Sequence, residues 1–173
     1  MRYYINILDK ILTLFEQTII AVGLGAATML IFANVVARYM FDTGFPWVLE
    51  AVQYLFAWVV LIGSAYGFKE GIHLGIDVLV LKFSPLIRRW IGLSSLILCL
   101  TFVIAVFILS LQYITKIYQW GDLTLDLQIP QWIPYLAIPI GLFLMTIHLL
   151  QVGWLIWQGK QEFVGQSEQA SFD

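Results

Sequence analysis

The stretch that decides the fold is residues 17–37, QTIIAVGLGAATMLIFANVVA, which contains no charged side chain. A helix that crosses the hydrocarbon core of a bilayer needs about 20 mostly apolar residues. Strands of a membrane barrel would instead alternate polar and apolar residues at every second position. This stretch is apolar almost throughout, so it predicts a transmembrane helix.

Three further windows have the same character, and they lie at residues 51–68, 90–115 and 127–159. We therefore predict an all-α integral membrane protein with four transmembrane helices. The predicted spans lie near residues 14–37, 47–68, 89–113 and 132–157. They form a single domain over residues 1–158, which a short polar tail follows at 159–173.

The composition agrees with a membrane environment. Hydrophobic residues make up 61% of the 173 residues and charged residues only 12%, whereas soluble domains are about 25% charged. The net charge of −2 makes nucleic acid an unsuitable partner. Asp9 and Glu16 interrupt the N-terminal region, and the apolar run that follows is too long for a signal peptide. We therefore expect the first helix to be retained.

The distribution of basic residues predicts the orientation in the membrane. Seven of the nine lie at the N-terminus, in the connection between the second and third spans, or in the tail. Only Arg38 and Lys116 lie in the other two connections. Loops rich in lysine and arginine stay in the cytoplasm. We therefore expect a multi-pass protein of the bacterial inner membrane with both termini in the cytoplasm.

The connection between the second and third spans contains GIHLGIDVLVLKF at residues 71–83. This stretch is apolar but punctuated by charge, and it is too short to cross the bilayer. It predicts a short amphipathic segment that lies in the membrane interface. Ser84 and Pro85 then form a typical helix start. The basic residues expected to contact lipid headgroups are Lys82, Arg88 and Arg89.

Few residues in the predicted spans are suited to chemistry. His148 is the one ionisable residue that we place inside them, and we expect it to bind a neighbouring helix. Cys99 lies in an apolar run and predicts a buried side chain. His73 and Asp77 have helical spacing, but a metal ion needs at least a third ligand. We therefore predict no enzymatic activity, no cofactor and no metal site in this chain.

Glycine recurs at every fourth residue near the cytoplasmic end of the second span. In a helix this spacing forms a stripe without Cβ atoms, and such a stripe lets another backbone approach closely. We expect this stripe and the segment after it to pack against a partner. The residues predicted for partner packing are Gly63, Gly67, Gly71, Gly75, His73 and Asp77.

The outer connections carry a mildly acidic set of side chains. Arg38 and Glu50 end two spans on either side of a short connection, and two interpretations remain open. They pair with each other across the hairpin, or they present charge to an external partner. The predicted outer docking face consists of Arg38, Asp42, Glu50, Asp122 and Asp126.

Several local sequences resemble those of one transporter family. One is the first hairpin, from Asn34 through Arg38 to Trp47 and Glu50. The second is GSAYG at residues 63–67, followed by Lys69, Glu70, Gly71, His73 and Asp77. The third is the start of the last span, with Ile129-Pro130 and Pro139-Ile140-Gly141. The chain resembles, over nearly its whole length, the DctQ-like small membrane subunit of tripartite ATP-independent periplasmic (TRAP) transporters.

This resemblance implies partners that do the transport chemistry. A large permease subunit (M type) would carry the substrate and sodium sites and move as an elevator. A periplasmic substrate-binding protein (P type) would deliver an organic acid of the dicarboxylate or sialic acid type. The present chain would have no substrate site. It would act as a scaffold and membrane anchor in contact with lipids.

Two other classes of function were weighed against this one. An independent small transporter or channel, built as a homo-oligomer, would need a polar lining or a coupling acid within its spans. A four-helix membrane enzyme, such as a quinone reductase, would need a pair of redox thiols or haem ligands. The sequence offers neither set of residues, and this absence favours the scaffold.

Overall fold

The computed structural model describes residues 2–70 and 84–157, and this part of the chain is mostly helical. Its helices are α1 (Arg2–Met40), α2 (Pro46–Glu70), α3 (Pro85–Trp120), α4 (Trp132–Tyr135) and α5 (Ala137–Trp157). Four stretches in them are long and apolar enough to cross a membrane: Lys10–Met40, Pro46–Lys69, Trp90–Trp120 and Trp132–Trp157. The predicted fold class, an all-α protein with four transmembrane helices, is confirmed.

The helices form two compact units, which we describe separately. The first consists of Met1–Gly63 and Ser110–Ile140, and the second of Ser64–Leu109 and Gly141–Asp173. The predicted amphipathic segment at 71–83 and the tail at 159–173 lie outside the described residues.

In the first unit, α1 and α2 form an antiparallel hairpin. Ala27 of α1 shares a buried cluster with Val48 and Val52 of α2. Further along the hairpin, Gly23 lies against Val59. A Cβ atom placed on Gly23 would lie 2.5 Å from Cγ2 of Val59. Only glycine fits at this position while the two helices remain at their present separation.

The end of α3 packs against α4 in the same unit through aromatic pairs. Tyr113 contacts Tyr135 edge to face at 5.7 Å between ring centroids, and Tyr118 contacts Trp132 in the same way at 5.9 Å. Such geometry is favourable because the positive edge of one ring faces the negative face of the other. These pairs bring together the two ends of the connection formed by residues 121–131.

The second unit contains the contacts between the first part of α3 and α5. Val152 and Ile156 are buried there, and Leu93 and Leu96 pack against them. A Cβ atom placed on Gly153 would lie 2.7 Å from Cδ2 of Leu96. Gly153 therefore permits close packing of α5 against α3, as Gly23 does for α1 against α2.

Prolines shape the start of one helix, as the sequence predicted for Pro85, and the interruption of another. Helix α3 begins at Pro85, and the carbonyl of Ser84 accepts the N–H of Arg88 at 3.0 Å. The fourth span is interrupted at Leu136, between α4 and α5. Pro139 has no N–H to donate to the carbonyl of Tyr135, one turn earlier. The hydrogen bond that Pro139 cannot make would have ended at Tyr135, which is the residue before the interruption at Leu136.

The four spans differ in how much of their surface the chain itself covers. Half of the most apolar window in the fourth span is buried (50%), against 11% in the first and third. The fourth span thus supplies much of the core. The first and third spans keep large apolar side chains exposed, among them Met29, Phe32, Leu98 and Phe102. Such surfaces suit lipid or another membrane protein.

Candidate functional site: a carboxylate that holds a connecting loop

The most extensive polar contact in the described residues joins α2 to the connection at residues 121–131. Glu50 lies in the second turn of α2, and its side chain is half-buried. Its Oε2 atom accepts the backbone N–H groups of Asp126 and Leu127, both at 2.8 Å. Its Oε1 atom accepts the N–H of Leu125 at 3.1 Å. Three successive N–H groups in a turn form a concave site for an anion, and here the chain supplies its own carboxylate.

Tyr54 completes the arrangement from the next turn of α2. Its hydroxyl donates a hydrogen bond to Oε1 of Glu50 at 2.9 Å. Residues four apart lie on the same face of a helix, so Tyr54 is well placed to orient this carboxylate. Each oxygen of Glu50 thus accepts two hydrogen bonds. We call Glu50, Tyr54 and the N–H groups of residues 125–127 the Glu50 clasp.

The connection has its own internal hydrogen bonds. The N–H of Thr124 donates to the carbonyl of Ile129 at 2.9 Å, and the N–H of Ile129 donates back to Oγ1 of Thr124 at 3.2 Å. Gln128 has a left-handed backbone (φ 53°), and its side-chain amide donates to the carbonyls of Thr124 and Leu125 at 3.0 and 2.6 Å. The connection is a closed turn, and the Glu50 clasp fixes that turn to α2.

The shorter connection between α1 and α2 is closed by Asn34. Its Oδ1 atom accepts the N–H of Phe45 at 2.8 Å. The carbonyl of Ala37 accepts the N–H groups of Phe41 and Thr43 at 3.0 and 3.3 Å. Backbone N–H groups at the start of a helix lack a carbonyl partner within that helix. A side-chain oxygen can accept such an N–H group instead. Both connections in this unit are therefore held by polar side chains of the helices.

The predicted docking residues fall into two groups. Arg38, Asp42, Asp122 and Asp126 are exposed. Glu50 is half-buried and engaged with the connection at 121–131, and no ion pair joins it to Arg38 in the described part of the chain. The interpretation that Arg38 and Glu50 pair across the hairpin is thus not what the structure displays.

The predicted partner-packing residues are only partly described. Gly63 is half-buried, and a Cβ atom there would lie 3.8 Å from Ile20 of α1, an ordinary contact distance. Gly67 is buried. Gly71, His73, Gly75, Asp77 and Lys82 lie outside the described residues. Of the remaining residues predicted to contact lipid headgroups, Arg88 is half-exposed, and Arg89 lies in the second turn of α3.

One sequence-based statement needs correction. His148 was taken as the one ionisable residue inside the spans, but Glu16 is completely buried within α1. The uncharged window began at residue 17, so Glu16 was left out of the count of ionisable residues although the predicted span at 14–37 contains it. Helix α1 continues through this position as a regular helix. His148 is itself buried, and its Nδ1 atom lies 3.1 Å from Oε1 of Gln151 on the same helix.

Sequence reasoning missed Tyr54 and the backbone of residues 125–127, and it noted Asn34 only as a neutral polar residue. One signal was available, since Glu50 and Tyr54 stand four residues apart. The other partners of Glu50 are backbone N–H groups, which correspond to no particular type of residue and so cannot be recognised in a sequence. In the described residues, no group of three or more histidine, cysteine, aspartate or glutamate side chains is placed to hold a metal ion.

These features define a helical integral membrane protein in which polar side chains of the helices hold the connections at residues 41–45 and 121–131. Residues 27–159 match the family described as the DctQ component of tripartite ATP-independent periplasmic transporters. This match covers well over half of the chain, so the chain belongs to the DctQ family of TRAP transporter small permease subunits.

Relatives of the chain agree with this assignment. It is 34% identical to the C4-dicarboxylate TRAP transporter small permease protein DctQ of Vibrio cholerae, over 91% of this chain and 78% of the relative. It is 30% identical to the protein of the same name from Rhodobacter capsulatus, over 84% of this chain and 77% of the relative. It is also 26% identical to the isethionate TRAP transporter permease protein DctMQ of Oleidesulfovibrio alaskensis, over 79% of this chain but only 22% of that protein.

Proposed function

We propose that this small permease subunit is a non-catalytic scaffold and membrane anchor for a large, elevator-type permease subunit. The large subunit carries the substrate and sodium sites, and the complex takes up an organic acid that a periplasmic binding protein delivers. The observation that carries this proposal is the Glu50 clasp. It uses the polar groups of the first unit to fix a loop to a helix, as suits a static scaffold.

The proposed substrate is a dicarboxylate. Two relatives that match most of the chain are named for C4-dicarboxylate transport, while a more distant relative is named for isethionate. All of these substrates are small organic anions. A sialic acid is the alternative substrate class, and an uptake assay separates the two.

The proposed orientation places both termini and the connection between α2 and α3 in the cytoplasm. It follows from the basic residues, seven of which fall on that side. Lys82, Arg88 and Arg89 then face the headgroups of the inner leaflet. The Glu50 clasp faces the periplasm, together with Arg38, Asp42, Asp122 and Asp126.

The proposed docking face for the binding protein consists of these exposed charged residues. Glu50 acts there as a positioning residue, because its carboxylate is occupied by the N–H groups of residues 125–127. The turn that it holds presents Leu125, which is 88% exposed, next to Asp126. An apolar side chain beside exposed carboxylates suits a partner with basic residues around an apolar surface.

Reconstitution tests the scaffold role. The large subunit and its binding protein are placed in proteoliposomes with and without this chain, under an inward sodium gradient. We expect sodium-dependent uptake of radiolabelled succinate with the chain present and little uptake without it. Equal uptake in both preparations would contradict the proposal. Uptake of sialic acid but not of succinate would correct the substrate class alone.

Charge reversal tests the docking face. We expect the Asp122→Lys, Asp126→Lys double variant to raise the concentration of binding protein needed for half-maximal uptake by about tenfold, because like charges at a protein interface repel. The maximal rate should change little. The matched control is Lys116→Glu, an exposed residue outside the predicted face. An unchanged requirement in the double variant would remove these residues from the docking face.

A further inference from the structure

Five exposed serine and threonine hydroxyl groups in the spans are satisfied by their own helices. Each donates to a backbone carbonyl three or four residues earlier, at 2.6–2.9 Å. These residues are Thr18, Thr28, Ser94, Thr101 and Thr115. A short hydroxyl side chain can reach the preceding turn of its helix. Such groups are compatible with a surface that faces lipid, and they mark no partner.

Three exposed amides in the spans differ from these hydroxyls. Gln53 of α2 and both Gln112 and Gln119 of α3 are exposed, and none has a hydrogen-bond partner among the described residues. Gln119 is the last residue but one of its span, so its amide can reach water. An amide has two N–H donors and a carbonyl acceptor. Leaving such groups unpaired in hydrocarbon is strongly unfavourable, because no water is present there to take their hydrogen bonds. A second membrane protein can supply the missing partner, whereas lipid chains cannot.

Gln53 lies within the apolar part of its helix. It is seven residues after Pro46, which corresponds to about 10 Å along the helix axis. The span Pro46–Lys69 has 24 residues, so it is roughly 36 Å long at 1.5 Å per residue, against about 30 Å of hydrocarbon. Gln53 therefore lies roughly 7 Å inside the hydrocarbon if the span is centred in the bilayer.

A cleft lies beside Gln53. Its volume is about 130 Å³, and its walls are Gln53, Tyr54, Ala57, Pro134, Tyr135, Ala137 and Ile138. A cavity of roughly 150 Å³ accommodates benzene, so this cleft has room for one apolar side chain. The small residue Ala57 is exposed and permits the close approach that packing between membrane helices requires. Gln112 does not line this cleft.

We propose that Gln53 and the adjacent cleft form the site at which a transmembrane helix of the large permease subunit docks. A polar side chain of that helix hydrogen-bonds the Gln53 amide, and an apolar side chain enters the cleft. This inference rests on the proposed function, because the occupant is the large subunit. It adds to the proposed function the face of this chain that contacts the large subunit.

Site-specific photo-crosslinking tests the assignment. Benzoylphenylalanine is introduced at Ala57, which leaves Gln53 intact, and the variant is co-expressed with the large subunit. The matched control carries the same group at Val22, an exposed residue of α1 (63%). We expect a crosslink to the large subunit from position 57 and none from position 22. A crosslink from position 57 only to lipid, or only to a second copy of this chain, would overturn the inference.

Substitution of the amides provides a second readout. We expect Gln53→Leu to reduce the large subunit recovered with the tagged chain by about fivefold, and Gln53→Asn to retain more of it. Gln112→Leu should leave recovery unchanged. If Gln112→Leu reduces recovery and Gln53→Leu does not, the docking face is misassigned while the scaffold function stands. If the unsubstituted chain recovers no large subunit, the proposed function itself fails, and the docking site with it.

Discussion

The backbone N–H of Leu127 donates to the carboxylate of Glu50 at 2.8 Å, although 77 residues separate the two in the sequence. The same oxygen accepts the N–H of Asp126. These bonds fix the turn at residues 125–127 to the second turn of α2. The position of the exposed Leu125 and Asp126 side chains thus depends on one acidic residue of another element.

Replacing the carboxylate should release this turn. Glu50→Gln keeps the size of the side chain but exchanges one acceptor oxygen for an NH₂ group, which cannot accept the N–H groups that face it. We expect the amides of residues 125–127 to exchange with deuterium at least about tenfold faster. Hydrogen–deuterium exchange with mass spectrometry on the purified subunit measures this change.

The matched control for that experiment is Asp126→Asn. It removes a neighbouring charge and leaves the backbone N–H of residue 126 in place. Exchange at residues 125–127 should then stay near the level of the unsubstituted chain. If Asp126→Asn accelerates exchange as much as Glu50→Gln, net charge rather than the Glu50 clasp controls the turn.

Tyr54 should contribute less than Glu50. Tyr54→Phe removes one hydrogen bond to Oε1 and leaves the bonds from residues 125–127 in place. We expect the free energy of unfolding to fall by about 1 kcal/mol. Equilibrium unfolding in mixed micelles, followed by tryptophan fluorescence, measures the loss. Amide exchange in the turn should rise less than in Glu50→Gln, and an equal or larger rise would assign the main anchoring role to Tyr54.

The close contact of α1 with α2 predicts opposite outcomes for two neighbouring glycines. A Cβ atom on Gly23 would meet Val59 at 2.5 Å, whereas nothing lies within 4 Å of one on Gly25. Valine is stiff about χ1 and cannot easily turn away. We expect Gly23→Ala to lower the free energy of unfolding by about 1–3 kcal/mol. Gly25→Ala should be neutral, or stabilising by up to about 1 kcal/mol.

A compensating substitution checks the cause of the Gly23 effect. Val59→Ala removes the methyl group that a Cβ atom at position 23 would meet. The Gly23→Ala, Val59→Ala double variant should therefore unfold at a higher temperature than the sum of the two single effects indicates. Strictly additive effects would count against direct contact as the origin.

Gly153 should tolerate alanine better than Gly23. Its added Cβ atom would meet Cδ2 of Leu96 at 2.7 Å, which is the end of a longer side chain. Leucine can rotate that group away at a cost of about 1 kcal/mol. We expect a smaller fall in the melting temperature for Gly153→Ala than for Gly23→Ala, measured in the same detergent. The reverse order would mean that the leucine is held in place.

The number of spans was predictable because bilayer thickness fixes the length of an apolar helix. Their ends were less predictable. The third predicted span stopped at residue 113, whereas α3 continues through Lys116 to Trp120. A lysine near the end of a span can extend its charged group to the interface while the helix continues.

The Glu50 clasp could not be predicted for a different reason. The sequence marked Glu50 as a charge at the end of a span, but its partners in the connection are backbone N–H groups, which every residue other than proline possesses. Only the folded path of residues 121–131 brings them to α2. Glu16 was misjudged for a related reason, since its burial depends on what packs around α1 and not on the residues beside it.

Because Glu50 binds the turn only through its main-chain N–H groups, it places no chemical demand on the side chains that the turn displays. Residues 125–127 can therefore diversify in sequence while the path of the turn is preserved, provided that Glu50 and the length of the connection are kept. Antibody variable domains are built in a similar way, since a rigid framework supports binding loops whose sequences vary. The side chains at the tip can then change by drift without any change in the helices below.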